Sequence, residues 1–506
     1  MNIFRVSVVP GWWFGPHSVR SALLVMLAAV AALPALAQSG PRASRDQVAA
    51  ALVDTPKIPA GPFAPTWDSI KASYQTPEWF LDAKFGIFMH FGLYSVGAHQ
   101  SEWYEKYIYG GNAAIEQFHV DKFGPLDTFG YIKLADQYAT KFDPDVWAAL
   151  FKKSGAKYIV PTAQHHDGFA NWDSAYTRFN SKNFGPKRDL IGDLGAAVRK
   201  QGLKFGVSNH GMEHFTFIVT PKADLKTDLY DPAYADFYLV ADRSPEALVK
   251  FLSTWVKEND ELIDKYQPDL LWFDNGVNGR VFDPLKLAVA AYYYNRAVTW
   301  GKQVTLSTKS DAYLAGSVLD YERQGRAPKP LVPTANVWEV DDPIGEKFGY
   351  VEGMKLTTSA GVVRTLIEDT CRGGALMLNI SPKGDGTIPE EQQQILLGVG
   401  RWLGVNGDAI YGTRTWTTAG EGDIRYTKKG DTLYAIVEKP VAGHEVVLPA
   451  LAAGKAPAGK IDQVEWLGSS EPVTFTQDAS GLKVNLPASL PSEFASALKI
   501  TGLTLK

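Results

Sequence analysis

The chain has 506 residues, of which 21% are charged, and a formal net charge of −4 without any long basic run. This balance argues against nucleic acid as a partner. The single cysteine, Cys371, excludes an internal disulfide and a zinc site built from cysteines. The length is sufficient for a large core and a second domain.

Residues 1–37 are predicted to be a signal peptide. An apolar run over residues 21–33 is shorter than the ~20 residues that a membrane span needs, and Pro34 ends it. Ala35-Leu36-Ala37 then matches a small-x-small cleavage pattern. We therefore expect export to the periplasm or the extracellular space, no membrane anchor, and a mature chain that begins at Gln38. Residues 38–64 are rich in Pro and Ala and are predicted to be a linker.

Residues 65–412 are predicted to form the main domain, in which apolar, β-prone runs alternate with candidate helices. The eight runs are 84–90, 157–163, 204–209, 270–274, 304–309, 318–322, 336–340 and 375–380. Helices are predicted at 247–264 and 284–298, and a capping box at 387–390 is predicted to open another helix. This alternation predicts an α/β fold, a (β/α)8 TIM-like barrel. The barrel should be irregular, because the connections around strands five to seven are too short for full helices.

Residues 413–506 are predicted to form a C-terminal antiparallel β-sandwich. Segments with alternating apolar residues occur at 424–427, 432–438, 445–448, 473–476 and 482–486, with turn signals at 428–431 and 478–481 between them.

Each predicted barrel strand runs into polar side chains at its carboxyl end. These are His90, His165 with His166, Asn209 with His210, Asp274, Lys309, Glu322, Glu339 and Asn379. Taken alone, an Asp after a strand more often starts a turn or caps a helix. Eight such positions in register indicate a site at the mouth of the barrel, where barrel enzymes carry their catalytic groups.

Two carboxyl groups at such a mouth suit glycoside hydrolysis. One stays ionised and attacks an anomeric carbon, while the other donates a proton to the leaving oxygen. Asp274, directly after the apolar run 270–273, is the candidate nucleophile. Glu322, Glu339 and Glu102 are candidates for the acid, and the residue pattern alone does not choose among them.

Several motifs resemble the retaining α-L-fucosidases of glycoside hydrolase family 29. The most specific are AKFGIFMHFGLYSV at 83–96, AKYIVPTAQHHDGF at 156–169 and NISPKGDGTIP at 379–389. The resemblance extends over about residues 76–415, and the C-terminal domain shares only a general β character with the family. It implies a fucosylated glycan as substrate, no cofactor and no metal.

The resemblance also implies roles for individual residues. It makes Asp274 the nucleophile and Glu322, in Asp320-Tyr-Glu-Arg323, the acid/base, with Glu339 as the alternative. The residues implied to hold the fucose ring are His90, Glu102, Trp103, His165 and His166, with Phe348 near the sugar's methyl group. Lys309 stands where a common sugar-binding Arg is found, and Ser208-Asn209-His210 stands where many members have a Tyr. We expect His210 on the aglycone side of the pocket.

Three alternative functions are left open. The chain could be a fucose-binding protein without turnover, or a hydrolase of a related sugar such as α-L-galactose. It could also be a zinc hydrolase, since His210, Glu213 and His214 match H-x-x-E-H, although that motif requires a helix and here follows a strand. The fucosyl linkage is not determined by the sequence, which is also compatible with a homo-oligomer.

Overall fold

Eight parallel strands close into a barrel in which each strand pairs with the next along the chain, and the eighth pairs with the first. The strands are β1 Phe85–Met89, β2 Tyr158–Gln164, β3 Lys204–Asn209, β4 Leu270–Phe273, β5 Thr305–Lys309, β6 Ser317–Asp320, β7 Trp338–Pro343 and β8 Gly374–Ile380. This computed structural model describes residues 41–218, 226–309, 312–323, 337–455, 457, 459–492 and 494–505. The predicted signal peptide lies outside the described residues. The predicted barrel is confirmed.

Fourteen α-helices are found in the described part of the chain. They are α1 Arg45–Val53, α2 Trp67–Ser73, α3 Glu78–Ala83, α4 Tyr94–Gly97, α5 Tyr104–Tyr109, α6 Ala113–Phe123, α7 Pro144–Lys153, α8 Leu190–Lys200, α9 His214–Phe217, α10 Ala235–Tyr238, α11 Pro245–Tyr266, α12 Asp283–Thr299, α13 Ser359–Arg372 and α14 Glu390–Asn406. The described residues between β5 and β7 contain no helix, which is the predicted irregularity. Within the described ranges, no helix has both the length and the apolar character needed to cross a membrane.

The continuous apolar sequence of β4 is explained by its two buried faces. Leu270 and Trp272 pack inside the barrel with Phe88, whereas Leu271 and Phe273 belong to the large core outside the barrel wall. A strand covered on both sides has no position at which a polar residue is favoured. The first polar side chain after the strand, Asp274, is therefore at the carboxyl end of the barrel.

The interpretation of residues 38–64 as a linker is wrong for its central part, which forms α1. Ser44 and Gln47 form a capping box at the start of this helix, with each side chain accepting a hydrogen bond from the other residue's backbone N–H. Val48 and Ala51 are buried, and α1 packs against α11. The Pro- and Ala-rich composition concealed a short helix that is part of the barrel's outer layer.

Two antiparallel sheets follow the barrel, as predicted. Their strands are β9 Gly420–Glu421, β10 Ile424–Lys429, β11 Thr432–Val437, β12 Glu445–Leu448, β13 Gly459–Trp466, β14 Thr474–Asp478, β15 Gly481–Asn485 and β16 Ser496–Leu503. One sheet has the order β13-β16-β11-β10-β9 and the other β12-β15-β14. The two sheets share a core that includes Tyr426, Leu433, Leu448, Trp466 and Val484.

Candidate active site

Asp274 lies at the carboxyl end of β4, and its side chain is 11% exposed. Its Oδ1 accepts a hydrogen bond from the backbone N–H of Asn275 (2.7 Å) and lies 3.1 Å from the Nζ of Lys309. Its Oδ2 accepts a hydrogen bond from Nδ1 of His210 (2.9 Å). Burial alone would raise the pKa of Asp274, but Lys309 and His210 outweigh burial and hold the pKa well below its ordinary value. Asp274 is therefore an anion, which is the state that a carboxylate nucleophile needs.

His210 lies directly against Asp274 and is fully buried. Its Nε2 is 3.1 Å from the hydroxyl of Ser208. Because the carboxylate of Asp274 can only accept, Nδ1 carries the ring proton and Nε2 accepts from Ser208. Burial lowers the pKa of His210 to about 3, so the ring is neutral and orients the carboxylate. His210 thus contacts the candidate nucleophile directly, and its position on the aglycone side of the pocket stays a prediction.

Three further histidines, His90, His165 and His166, line the same site. The ring of His165 is centred 5.3 Å from that of His90 and 4.3 Å from that of His166, and Nε2 of His166 lies 3.5 Å from Asp274. Nδ1 of His90 donates to the side-chain oxygen of Asn379 (2.7 Å), which leaves Nε2 as an acceptor. Burial lowers the pKa of His90 to about 4 and that of His165 well below its usual range. The neutral rings of His90 and His165 are suited to hydrogen bonds with sugar hydroxyls.

Lys309, the last residue of β5, connects Asp274 with Glu322. Its Nζ lies 3.1 Å from Oδ1 of Asp274 and 3.4 Å from Oε2 of Glu322. These two carboxylate oxygens are therefore at most 3.1 plus 3.4, about 6.5 Å, apart. Retaining glycosidases have their two carboxyl groups ~5–5.5 Å apart, and inverting enzymes ~6.5–9.5 Å. The arrangement is compatible with the retaining separation.

Glu339 lies deeper in the barrel, below the mouth. It is fully buried, and its carboxylate accepts hydrogen bonds from the hydroxyls of Tyr158 (2.9 Å) and Ser307. Burial raises the pKa of Glu339 to about 7. Both of its oxygens are engaged by barrel side chains, whereas the side chain of Glu322 is 22% exposed. Glu339 therefore occupies a supporting position, and Glu322 occupies one that substrate can reach.

Asp320 and Asp341 complete the group of buried carboxyls. Asp320 accepts hydrogen bonds from the indole N–H of Trp272 (2.6 Å) and from the backbone N–H of Asp341 (3.1 Å). Burial raises the pKa of Asp320 to about 7, while burial and Asp320 raise that of Asp341 well above its ordinary value. Asp341 is 3.9 Å from Nζ of Lys309. Neither residue was predicted to belong to the site, although the two-residue alternation along β7 places Asp341 on the same side of the strand as Glu339.

Glu102, Trp103 and Phe348 lie around the histidines. Phe348 is centred 5.0 Å from His90, and Trp103 stands edge-to-face with His166 at 6.0 Å. Glu102 accepts a hydrogen bond from the backbone N–H of Gly349 (3.0 Å), the residue after Phe348. The structure thus brings together the predicted site residues, with Glu339 buried beneath them.

The zinc-hydrolase alternative does not fit the local geometry. Residues 211–213 form a single 3₁₀ turn and α9 begins only at His214, so the motif does not lie within one helix. Both ring nitrogens of His214 face backbone oxygens, those of His166 (2.8 Å) and Phe237 (2.6 Å). In the described part of the chain, the groups close enough to share an ion are His90 with His165 and His210, and His166 with His210 and Asp274. Glu213 and His214 belong to neither group.

A closed parallel barrel with paired carboxyl groups at the carboxyl ends of its strands defines a barrel glycoside hydrolase. The family model described as alpha-L-fucosidase matches residues 51–408, and that of the alpha-L-fucosidase C-terminal domain matches residues 418–501. The chain therefore belongs to the alpha-L-fucosidase family. The second match shows that the C-terminal domain shares more with the family than the general β character inferred from its sequence.

Curated relatives and solved structures agree with this assignment. The tissue alpha-L-fucosidase of Mus musculus is 32% identical over 466 residues, covering 87% of this chain and 94% of the relative. The plasma alpha-L-fucosidase of Homo sapiens is 32% identical over 478 residues, covering 87% and 93%. The crystal structure of Thermotoga maritima alpha-fucosidase in complex with a mechanism-based inhibitor has a TM-score of 0.71 and 32% identity, covering 87% of this chain and all of that one.

Proposed function

We propose that this protein hydrolyses terminal α-L-fucosyl residues of oligosaccharides or glycoconjugates with net retention of configuration. The observation that supports this most directly is the position of Lys309, within 3.4 Å of both Asp274 and Glu322, in a chain of the alpha-L-fucosidase family. The two carboxylate oxygens are at most about 6.5 Å apart, the lower end of the ~6.5–9.5 Å that an inverting enzyme needs to accommodate a water molecule between sugar and base.

In the first step, a carboxylate oxygen of Asp274 forms a bond to C1 of the fucosyl unit as the glycosidic C1–O bond breaks. Glu322 gives its proton to the departing oxygen, so the aglycone leaves as a neutral alcohol. His210 and the N–H of Asn275 keep the carboxylate of Asp274 in place. His90 and His165 offer neutral ring nitrogens to the sugar hydroxyls, the ring of His166 lies beside them, and Phe348 offers an apolar face.

In the second step, Glu322 takes a proton from a water molecule whose oxygen forms a bond to C1. The ester bond between C1 and Asp274 breaks, which releases L-fucose and restores the carboxylate. Two displacements at C1 return the original configuration.

The test is hydrolysis of an aryl α-L-fucoside by purified residues 38–506, with EDTA present and with Asp274→Ala as the control. We expect the wild type to release fucose, the first product detected by NMR to be the α-anomer, and the folded variant to lose at least ~10⁴-fold in kcat, as removal of a catalytic nucleophile does. Release of the β-anomer first, or comparable turnover by the variant, would overturn the proposal. Tight fucose binding without release would favour the binding-protein alternative.

An aryl α-L-galactoside, which differs by a hydroxyl on C6, tests the sugar specificity in the same assay. The ring of Phe348, 5.0 Å from His90, offers an apolar surface to a methyl group but no partner to a hydroxyl. A lower kcat/KM for the galactoside is therefore expected, and the reverse order would identify α-L-galactose as the substrate.

We also propose that the protein acts after export. Ala35-Leu36-Ala37 at the end of an apolar run supports cleavage before Gln38. Mass spectrometry of the mature protein from periplasmic and extracellular fractions should find an N-terminus at Gln38. Recovery of the uncleaved chain from the cytoplasm alone would contradict export.

A further inference from the structure

The two proposed half-reactions move one negative charge across the site. Before the first step, Asp274 is a carboxylate and Glu322 holds a proton. After it, Asp274 is a neutral ester and Glu322 is the carboxylate. The second step reverses this exchange. A single positive charge close to both Asp274 and Glu322 would stabilise the site in both states.

Lys309 has the geometry for this task. Its Nζ is 3.1 Å from Asp274 and 3.4 Å from Glu322, so the ammonium contacts both groups without moving. An ammonium is a compact charge with three donors, whereas a guanidinium is a planar fork that pairs best with one carboxylate. This is a physical reason for Lys at a position where related sequences commonly have Arg.

The surroundings of Lys309 keep its charge effective. Its side chain is only 9% exposed, and the rings of Trp272 and Phe348 are centred 5.1 and 5.7 Å from Nζ. Such apolar walls reduce screening by water. Burial lowers the pKa of Lys309, but the surrounding carboxyls outweigh burial and raise it well above its ordinary value, so the ammonium stays charged.

The titratable groups around this cation come from three neighbouring strands. Lys309 faces Asp274 after β4, Asp320 and Glu322 at the end of β6, and Asp341 on β7, while His90, His166 and His210 surround Asp274. Asp341 is 3.9 Å from Nζ, and burial together with Asp320 raises its pKa well above its ordinary value, which weakens it as an anionic competitor for Lys309.

We propose that Lys309 is a shared counter-ion that stabilises the negative charge on Asp274 before the first displacement and on Glu322 after it. This inference rests on the proposed double-displacement mechanism. It assigns Lys309 a role in both half-reactions, which differs from a role in holding the sugar alone.

The test compares Lys309→Met, which removes the charge, with Lys309→Arg, which keeps it, by rapid-quench kinetics on an activated aryl fucoside. We expect Lys309→Met to slow both formation and hydrolysis of the fucosyl-enzyme by ~10²-fold or more, as removal of a preorganised charge does. The acidic limb of its kcat/KM profile should move to higher pH by about one unit or more, because Asp274 loses its main cation. Lys309→Arg should keep the wild-type acidic limb.

A second measurement is independent of side-chain packing. Ethylammonium chloride should restore both rates in Lys309→Ala, and ethanol at the same concentration should not. Lys286→Met is the matched control for loss of a buried lysine. Lys286 lies on α12, and its fully buried ammonium contacts Asp283 (2.7 Å) and donates to the backbone oxygen of Ala312 (2.7 Å); its ion pair within the described residues is with Asp283 and involves neither Asp274 nor Glu322. The acidic limb of the kcat/KM profile of Lys286→Met should stay at the same pH as in the wild type.

The inference is overturned if Lys309→Met slows only one half-reaction, changes only KM, or leaves the acidic limb unmoved. Circular dichroism shows whether Lys309→Met folds. If it does not, the comparison of ethylammonium with ethanol in Lys309→Ala replaces it as the test. Absence of rescue by ethylammonium then overturns the inference. Failure here is separate from failure of the proposed function. Fucose release by wild type and its loss in Asp274→Ala would stand whatever Lys309 does.

Discussion

Two carboxyl groups of this barrel, Asp274 and Glu339, have pKa values shifted in opposite directions by what each one contacts. Asp274 receives hydrogen bonds from a backbone N–H and a histidine and contacts an ammonium, so its charge is stabilised. Glu339 receives only neutral hydroxyls, and burial raises its pKa to about 7. The contacts of Asp274 with Lys309 and His210 therefore account for the opposite directions of the two pKa shifts.

The assignment of Glu322 as acid/base predicts a dependence on the leaving group. Glu322→Ala should lose ~10²–10⁴-fold in the first step with a poorly departing alkyl or sugar aglycone, because general acid catalysis is worth that much. It should lose far less with a dinitrophenyl aglycone, which departs without a proton. A series of aryl fucosides with graded leaving-group pKa measures this as a slope of log kcat/KM.

Glu339→Gln is the matched control for this prediction, since it changes the other candidate acid and keeps its size. The loss in kcat/KM caused by Glu339→Gln should be the same for every aryl fucoside of the series, because Glu339 is hydrogen-bonded to Tyr158 and Ser307 below the mouth. If log kcat/KM depended steeply on leaving-group pKa in Glu339→Gln but not in Glu322→Ala, Glu339 would be the acid/base.

Asp274, Lys309 and the histidines were predictable from the sequence, because polar residues that directly follow apolar runs are easily recognised. Asp341 was not predicted, because it lies within a strand. The predicted seventh strand ended at residue 340, whereas β7 continues to Pro343. Asp-Asp-Pro has low β-propensity, and Pro is typical of strand ends or edges. In the barrel, pairing with β8 continues as far as Pro343 opposite Asn379 and outweighs that preference.

The elements of the barrel were predictable to within a few residues, and those of the C-terminal domain less so. Barrel strands are buried on both faces and appear as unbroken apolar runs. The prediction missed β13 and β16, which pair with each other in the larger C-terminal sheet. The register of β13 shifts between Gly459 and Gln463, which interrupts the alternation by which a half-buried strand is recognised.

The capping box predicted at 387–390 is also wrong. The hydroxyl of Thr387 donates to Asp385 (2.7 Å), and α14 begins at Glu390 after Pro389 without a side-chain cap. The sequence spacing of a capping box was present, but Asp385 gave the hydroxyl a closer partner in the preceding turn. Local patterns of this kind depend on competing local hydrogen bonds that the motif itself does not reveal.

At the scale of the whole molecule, the larger C-terminal sheet packs against the barrel on one face and against the second sheet on the other. In β11, Leu433, Ala435 and Val437 belong to the sandwich core, whereas Tyr434 and Ile436 join the core around the barrel. The indole N–H of Trp402 on α14 donates to the backbone oxygen of Ala495 (2.6 Å). The larger C-terminal sheet is thus covered on both faces, which makes it a structural part of the enzyme.

A buried ion pair crosses this boundary between α13 and β10. Nε of Arg425 donates to Glu368 (2.7 Å), which also contacts Arg372, and the side chains of Glu368 and Arg425 are 17% and 10% exposed. Burial alone would raise the pKa of Glu368, but the two arginines outweigh it and lower the pKa. A carboxyl with a lowered folded-state pKa stabilises the fold above its unfolded-state value of ~4.3, and this contribution is lost as pH falls through the folded-state pKa.

Arg425→Met should therefore lower the free energy of unfolding at pH 7 by ~2–4 kcal/mol, because it leaves Glu368 buried with one partner fewer. The difference from wild type should persist down to about pH 4.3 and shrink below it, as Glu368 becomes protonated. Urea unfolding followed by circular dichroism at pH 7, 5 and 3.5 measures both effects. Lys439→Met is the matched control, since its pair with Asp423 (3.0 Å) is 65% and 55% exposed and should contribute less than ~1 kcal/mol. Equal losses in the two variants, or a loss in Arg425→Met that grows at pH 3.5, would show that this ion pair does not hold the two domains together.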